Sequence, residues 1–309
     1  MSVTAPRPAL RRRRVLLAFL SPWLIGVALF LLYPLVTTVY LSFTNSNMIS
    51  PAAWVGLRNY RYLFTEDPHV WQSVRNTGWL VAVMVPAQLL FALGVAMLTA
   101  RLKAGATLFR TLFYLPALAP PVAATVAFVF LFNPGTGPVD ELLRSLGLPG
   151  PLWFTSESWS KPALTLLALW GSGSSMVIFL AALLDVPAEL YEAAALDGAG
   201  PWQRFRHITL PTIAPVLLFS AVTGVIAALQ YFTQAMVASQ VAGNSRSGVP
   251  VGYPGGSTLT YSQWLYTTGF GQFHMGYACA LAVLLFLVTM LFTVVLLRRS
   301  AAFTPQEAS

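Results

Sequence analysis

Long apolar runs separated by short polar stretches set the pattern of this chain. No charged residue occurs from 15 to 57, and further charge-free gaps lie between Arg75 and Arg101, Arg110 and Asp140, Lys161 and Asp185, Arg206 and Arg246, and Arg246 and Arg298. Each gap has room for the roughly 20 apolar residues that a helix needs to cross a hydrocarbon core. The pattern predicts six spans, near 15 to 43, 77 to 100, 110 to 132, 162 to 184, 212 to 235 and 275 to 297. Strands of a lipid-facing barrel would alternate over about ten residues, and these runs do not. The expected fold class is therefore an all-α membrane protein with six transmembrane helices.

Composition agrees. Charged residues make up 9% of the 309 positions and hydrophobic ones 56%, against about 25% charged in a soluble domain. Such a chain cannot cover a surface facing water. The net charge of +8 is mostly a topology signal. Arg7, Arg11 to Arg14, Arg101, Lys103, Arg110, Arg204, Arg206, Arg298 and Arg299 fall on one side of six spans. Only Arg58, Arg61, Arg75, Arg144, Lys161 and Arg246 fall on the other, so the positive-inside rule puts both termini in the cytoplasm. The arginines flank spans and form no stripe interleaved with aromatics, which argues against nucleic-acid binding. The first run continues through Tyr33-Pro34 to Ser42 with no Ala-x-Ala-like exit, so a retained helix is expected rather than a signal peptide. The lone Cys279 excludes a disulfide within the chain, and His69, His207 and His274 lie too far apart to suggest a metal site.

The span interiors hold no Asp, Glu, Lys or Arg. Ion-coupled transporters and proton pumps usually keep an ionisable group there, and a membrane hydrolase would need an acid, base or nucleophile at membrane depth. Energy or chemistry is thus expected from another polypeptide. No Gly-x-x-x-x-Gly-Lys-Ser/Thr sequence is present to cradle a nucleotide phosphate.

The loop between the fourth and fifth spans, 185 to 211, carries the most specific pattern. Asp185, Pro187 and Glu189 suit the first turn of a helix. Glu192 to Ala195 continue it with small helix formers, and Gly198 stops it. Gly200-Pro201 then restarts a short helix, Trp202 to Ile208, which Pro211 is expected to end. The alternative is an ordinary hairpin linking two spans. Glu192-Ala193-Ala194, Gly198, Ile208 and Leu210-Pro211 resemble, at seven fixed positions over twenty residues, the EAA motif of ABC importer permeases.

That resemblance implies a type I importer permease fold and gives Glu192, Ala193, Ala194 and Gly198 the role of coupling helices seated on a cytoplasmic ATPase. Asp197, Ile208, Leu210 and Pro211 would shape the loop. The block Gly56-Leu-Arg-Asn59-Tyr60, with Phe109-Arg110 to Pro116 and Asn133-Pro134, resembles carbohydrate, maltose-type permeases and their F-type subunit. The resemblance runs from about residue 15 to 298. It implies a G-like second permease subunit as heterodimer partner, two ATPase subunits using ATP and Mg, an external solute-binding protein, and a bacterial inner or cytoplasmic membrane. This chain itself is expected to bind no cofactor and to be no enzyme.

The expected layout is a basic tail at 1 to 14, a permease domain at 15 to 298 and a tail at 299 to 309, with an external loop at about 236 to 274. Within that loop, Ser239 to Thr258 departs from the short turn of the family and reads as irregular. It is either a tolerated insertion or a contact for the binding protein. Resemblance places the solute path beside Trp170, Ser172, Ser174, Gln230, Tyr231 and Gln234, an aromatic and amide lining that suits a sugar. The competing reading gives Gly171, Gly173 and Ser175 to close helix packing and Trp170 to an interfacial anchor. The expected cargo is a sugar or related neutral polyhydroxylated solute. Glycerol phosphate, a glycerophosphodiester or a polyol is the alternative, and a membrane enzyme or scaffold is the reading from another class.

Overall fold

The computed structural model describes residues 8–102, 104–243 and 251–300; side chains are described from Leu16 to Arg298, except that of position 17. Arg7, Lys103, Arg246 and most of the C-terminal tail lie outside the described residues, as do the side chains of Arg11 to Arg14 and Arg299. In chain order the helices are α1 (8–41), α2 (Arg58–Thr65), α3 (Pro68–Arg101), α4 (Ala106–Leu118), α5 (Pro121–Leu131), α6 (Pro138–Ser145), α7 (Ser160–Trp170), α8 (Gly173–Leu184), α9 (Ala188–Leu196), α10 (Pro201–Leu229), α11 (Thr233–Ala242), α12 (261–271) and α13 (Met275–Ser300). Among the described residues there is no strand, only an isolated bridge between Thr44 and Trp54.

Four helical stretches, Ala18–Leu41, Pro68–Arg101, Pro201–Leu229 and Met275–Arg298, are long and apolar enough to cross a membrane unbroken. The third and fourth expected spans are not straight helices. Ala106–Leu118 meets Pro121–Leu131 at 102°, and Ser160–Trp170 meets Gly173–Leu184 at 51°. Six spans result when each bent pair is one crossing. The first break has a backbone cause: Pro120-Pro121 forces Ala119 and Pro120 to extended ψ values of 134° and 131°. At the second, Ser172 turns both its N–H and its hydroxyl to the Leu169 carbonyl, at 3.1 and 2.7 Å, and the helix stops at Gly171.

Prolines also explain three of the π turns, though not the one at Thr267–Gly271. Pro34, Pro86 and Pro211 each stand two residues beyond a π segment, at Ala28–Leu32, Leu80–Met84 and Phe205–Thr209. In each, the residue before the proline bonds five residues back: Tyr33 to Ala28, Val85 to Leu80 and Leu210 to Phe205. The widened turn makes room for a ring that would otherwise strike the carbonyl four residues earlier. This corrects the expected stop at Pro211, because the helix that begins at Pro201 runs through it to Leu229.

The chain divides into two units. The first, Met1–Glu66 with Thr268–Leu284, is built on the end of α1. Asn59 of α2 donates to the Ser42 and Thr44 carbonyls at 2.8 Å each, and Tyr60 shares a 2.8 Å hydrogen bond with Ser42. Phe43 stacks on Trp54 at 5.3 Å and tilts against Tyr60 at 5.5 Å. The Asn-Tyr pair is thus a fastener on a helix rather than a turn. Gly276 approaches so closely that a Cβ would strike the Thr44 carbonyl.

The second unit, Asp67–Thr267 with Leu285–Ser309, holds the main core. Ala92, Leu93, Val95 and Ala96 of α3 pack on Met176, Phe179 and Leu180 of α8 and Ile213 of α10. A second cluster joins Val129 of α5, Leu164 of α7, and Ala235 and Ala238 of α11. Residues 244–250 of the expected external loop lie outside the described residues; the described parts of 236 to 274 are more regular than their Gly, Pro and Ser content suggests. They contain most of α11 and all of α12, and hydrogen bonds from distant residues hold the turns at 251 to 260. Asn76 donates to the carbonyls of Gly256 and Leu259 at 2.8 and 2.9 Å, Thr77 accepts from the Tyr261 N–H at 2.9 Å, and Ser160 bonds Ser257 at 2.7 Å.

Candidate functional site

Three helix interruptions in the second unit meet around one cavity of about 380 Å³. Pro116, Ala119 and Pro121 come from the 102° bend, Trp170 and Gly171 from the 51° bend, and Gln230 from the C-terminal end of α10. Tyr231, Phe232, Thr233 and Gln234 follow as the chain turns into α11, while Met84 and Gln88 approach from α3. Non-helical backbone at membrane depth is tolerated where it lines a cavity, and all three interruptions do so here.

The lining has neutral chemistry. No Asp, Glu, Lys, Arg or His is among its residues, and Gln88, Gln230 and Gln234 supply three carboxamides. Each carboxamide offers two donors and a carbonyl acceptor. The Tyr231 hydroxyl is buried and has no hydrogen-bond partner among the described residues, an arrangement that costs free energy unless a ligand or water meets it. Trp170 is half-exposed and tilted against Phe128 at 5.4 Å, leaving ring surface to the cavity. Apolar rings beside several neutral donors and acceptors can take a polyhydroxylated ring, with its C–H face on the aromatics and its hydroxyls on the amides.

Of the six residues expected on the path, Trp170, Gln230, Tyr231 and Gln234 line this cavity. Ser172 and Ser174 do not. Ser172 is buried with its hydroxyl turned back to Leu169, and Ser174 is exposed away from the lining. The flanking glycines divide between the two readings. Gly171 lines the cavity, while Gly173 packs so tightly that a Cβ would meet the Phe113 carbonyl and, at 2.8 Å, the Tyr114 Cα. Gln88 was missed by the sequence reading. Its signal was a single amide in the apolar run from Leu80 to Leu98.

The segment 185 to 211 forms a helix, a turn and the start of α10. α9 begins at Ala188 with Pro187 as its extended N-cap, so of the expected first-turn residues Asp185, Pro187 and Glu189 only Glu189 lies within the first turn. It ends in a Schellman turn, in which Ala199 donates to the Ala194 carbonyl at 2.9 Å and Gly198 to Ala195 at 3.1 Å. The turn requires the left-handed conformation that Gly198 adopts, φ 75°. Gln203 then accepts from the Gly200 N–H at 2.8 Å, and the Arg204 guanidinium donates to the Ala199 carbonyl at 2.8 Å.

This segment has a buried and an open side. Tyr191, Phe205 and Ile208 pack against the main core, and Tyr191 bonds the Thr209 hydroxyl at 2.8 Å. Glu192, Ala193, Asp197 and Gly198 are exposed, Ala194 is half-buried, and Leu210 and Pro211 are exposed on α10. Leu196 is 91% exposed and Trp202 69%, so apolar side chains stand beside the acidic ones on an open surface of the described residues. Among the described residues no group of three His, Cys, Asp or Glu is arranged to hold a metal.

Residues 88–302 match the family described as binding-protein-dependent transport system inner membrane component. The chain is 36% identical over 293 residues to the probable ABC transporter permease protein YesP of Bacillus subtilis, covering 94% of this chain and 92% of that one. It is 33% identical to the sulfoquinovosyl glycerol transport system permease protein SmoG of Agrobacterium fabrum, covering 93% and 90%. In fold it resembles a solved bacterial ABC transporter involved in the import of the acidic polysaccharide alginate, with TM-score 0.77, 23% identity, and coverage of 96% of this chain and 98% of that one.

Proposed function

This chain belongs to the family of binding-protein-dependent transport system inner membrane components, and on that footing we propose that it carries a neutral saccharide through the cavity at its three helix breaks. It is a membrane protein, the permease subunit of an ABC importer of the sugar class, and not an enzyme; ATP hydrolysis belongs to a separate subunit. The observation that carries the cargo assignment is the lining itself, with three carboxamides, an unpartnered buried tyrosine hydroxyl, aromatic rings and no charge.

The mechanism follows from the two regions of the second unit. An external binding protein delivers the solute, and two ATPase subunits close on ATP and Mg against α9 and the turn after it, where exposed Glu192, Ala193 and Gly198 and half-buried Ala194 present small side chains and one carboxylate. Tyr191, Phe205 and Ile208 are embedded in the core formed by α3, α8 and α10, so displacement of α9 is transmitted to α3 and α10, which also line the cavity. Asp197, Leu210 and Pro211 hold the shape of the segment. Hydrolysis resets the bundle. A G-like companion subunit completes the translocation path, both termini face the cytoplasm, and the membrane is the bacterial inner or cytoplasmic one.

A phosphate-bearing solute fits less well. It would place an anion in a site with no guanidinium, ammonium or imidazole among its lining residues, and an unpaired buried charge is expensive. The two readings separate in a ligand screen on the solute-binding protein that copurifies with the complex. Thermal stabilisation by sugars and not by glycerol phosphate or glycerophosphodiesters is the expected result; stabilisation by a phosphate ester alone would sink the neutral-saccharide assignment.

A further inference from the structure

The segment from Ser42 to Glu66 joins two helices that cross the membrane, Ala18–Leu41 and Pro68–Arg101. Whichever way the chain is oriented, this segment is tethered at the level of the lipid headgroups. It is not a slack loop. Asn59, Tyr60, Trp54 and Phe43 fasten α2 to the end of α1. The same segment exposes large apolar side chains: Ile49 is 81% exposed, Leu57 68% and Trp54 63%. Apolar residues and tryptophan at that depth suit the interfacial zone, where one side of a short helix meets acyl chains and the other meets headgroups.

The same segment also lines a groove of about 720 Å³ that includes Arg58, Arg61, Tyr62, Glu66, Asn45 and His274. Arg58 and Arg61 are three residues apart on α2 and so share a face. Their guanidinium groups make no hydrogen bond or ion pair among the described residues. Of the other cations expected on the same side, Arg144 pairs with Asp140 at 2.9 Å and Lys161 donates to Asn76 at 3.1 Å, Arg75 is exposed on α3 outside the groove, and Arg246 lies outside the described residues. Glu66, also in the groove, offers a carboxylate beyond the arginines.

We propose that this groove holds the headgroup of one membrane phospholipid, with Arg58 and Arg61 on its phosphate and the exposed Ile49, Trp54 and Leu57 among the acyl chains. Paired guanidinium groups are matched to the tetrahedral oxygens of a phosphate. Glu66 suits the ammonium of an ethanolamine headgroup. The inference depends only on the membrane crossing of the two flanking helices and not on which solute is carried.

The test uses the full transporter complex, reconstituted in phosphatidylethanolamine and phosphatidylglycerol, extracted gently and weighed by native mass spectrometry. The unmodified complex should retain one phospholipid more per copy of this chain than Arg58→Gln/Arg61→Gln, with retention only partly recovered in Arg58→Lys/Arg61→Lys, which keeps the charge and loses the guanidinium fork. Excess inorganic phosphate should leave it bound. A photoreactive benzophenone side chain at Leu57, in a chain with both arginines intact, should crosslink to lipid. Equal lipid retention in the unmodified and glutamine complexes would overturn the proposal. So would displacement by inorganic phosphate alone, which would make the groove a simple anion site, or crosslinking at Leu57 to a protein subunit instead of lipid.

Discussion

Gln88 and Gln230 are the residues on which recognition should turn most visibly. Each places a carboxamide without a partner of its own among the described residues on the cavity wall, so each can give its full hydrogen-bonding capacity to a solute. A neutral hydrogen bond contributes about 1 kcal/mol net, which corresponds to about fivefold in affinity. Gln88→Ala and Gln230→Ala should each raise the KM for uptake by about that factor with little change in assembly, measured as initial rates in proteoliposomes. Ser174→Ala should leave uptake unchanged, because Ser174 is exposed outside the lining. The sequence placed Ser172 and Ser174 with Trp170 because they sit in one small polar run. What it could not show was the 51° bend that turns Ser172 back to Leu169 and carries Ser174 out of reach. Gln88 was hard to single out for the opposite reason: it lies about 80 residues before Trp170, and only folding brings the two to one wall.

Among the elements, the positions of the helices were legible because each apolar run is long and free of charge, a signal that survives any detail of packing. Their straightness was not. Pro120-Pro121 marked a break in plain view, yet Pro34, Pro86 and Pro211 are absorbed by π turns without stopping a helix. A proline therefore tells where the i to i−4 ladder must be relieved and leaves open whether by a turn or by a bulge. The small residues at the second break are similarly two-sided, and Gly173 is the position where packing decides. Gly173→Ala drives a methyl group into the backbone of Phe113 and Tyr114. Overpacking of this kind costs about 1–3 kcal/mol, and the thermal midpoint of the purified complex should fall by several degrees. An unchanged midpoint would show that α4 and α8 can separate freely.

The coupling segment allows a cleaner separation of stability from function. Glu192 is exposed and its carboxylate has no hydrogen-bond or ion-pair partner among the described residues, so Glu192→Ala should not unsettle the chain. It should instead lower solute-stimulated ATPase and uptake together, by tenfold or more in order of magnitude if the lost contact is a charged hydrogen bond of about 1.5–3 kcal/mol. Retained uptake with normally bound ATPase subunits would remove Glu192 from the coupling role. Seven fixed positions made this segment recognisable from sequence alone. The anchoring of Tyr191, Phe205 and Ile208 in the core was not recognisable, since it depends on residues far off in the chain, Ala92 to Ala96 of α3 and Met176 to Leu180 of α8.

At the scale of the whole molecule, the scarcity of charge has two consequences. It puts the chain in lipid, and it leaves the cavity wall with amides and rings where an ion-coupled or anion-carrying protein would keep an ionisable group. A cavity of about 380 Å³ with such a wall should distinguish cargo by charge more sharply than by the identity of a neutral sugar. The most direct test is ATP-dependent uptake into proteoliposomes by the complete complex, with the saccharide held by its own binding protein as substrate, comparing the unmodified chain with Gln230→Glu. The account predicts efficient uptake of the neutral sugar, a several-fold loss with the new carboxylate in the wall, and no uptake without ATP. Unimpaired saccharide transport by Gln230→Glu, in a complex whose ATPase still responds to the loaded binding protein, would contradict it.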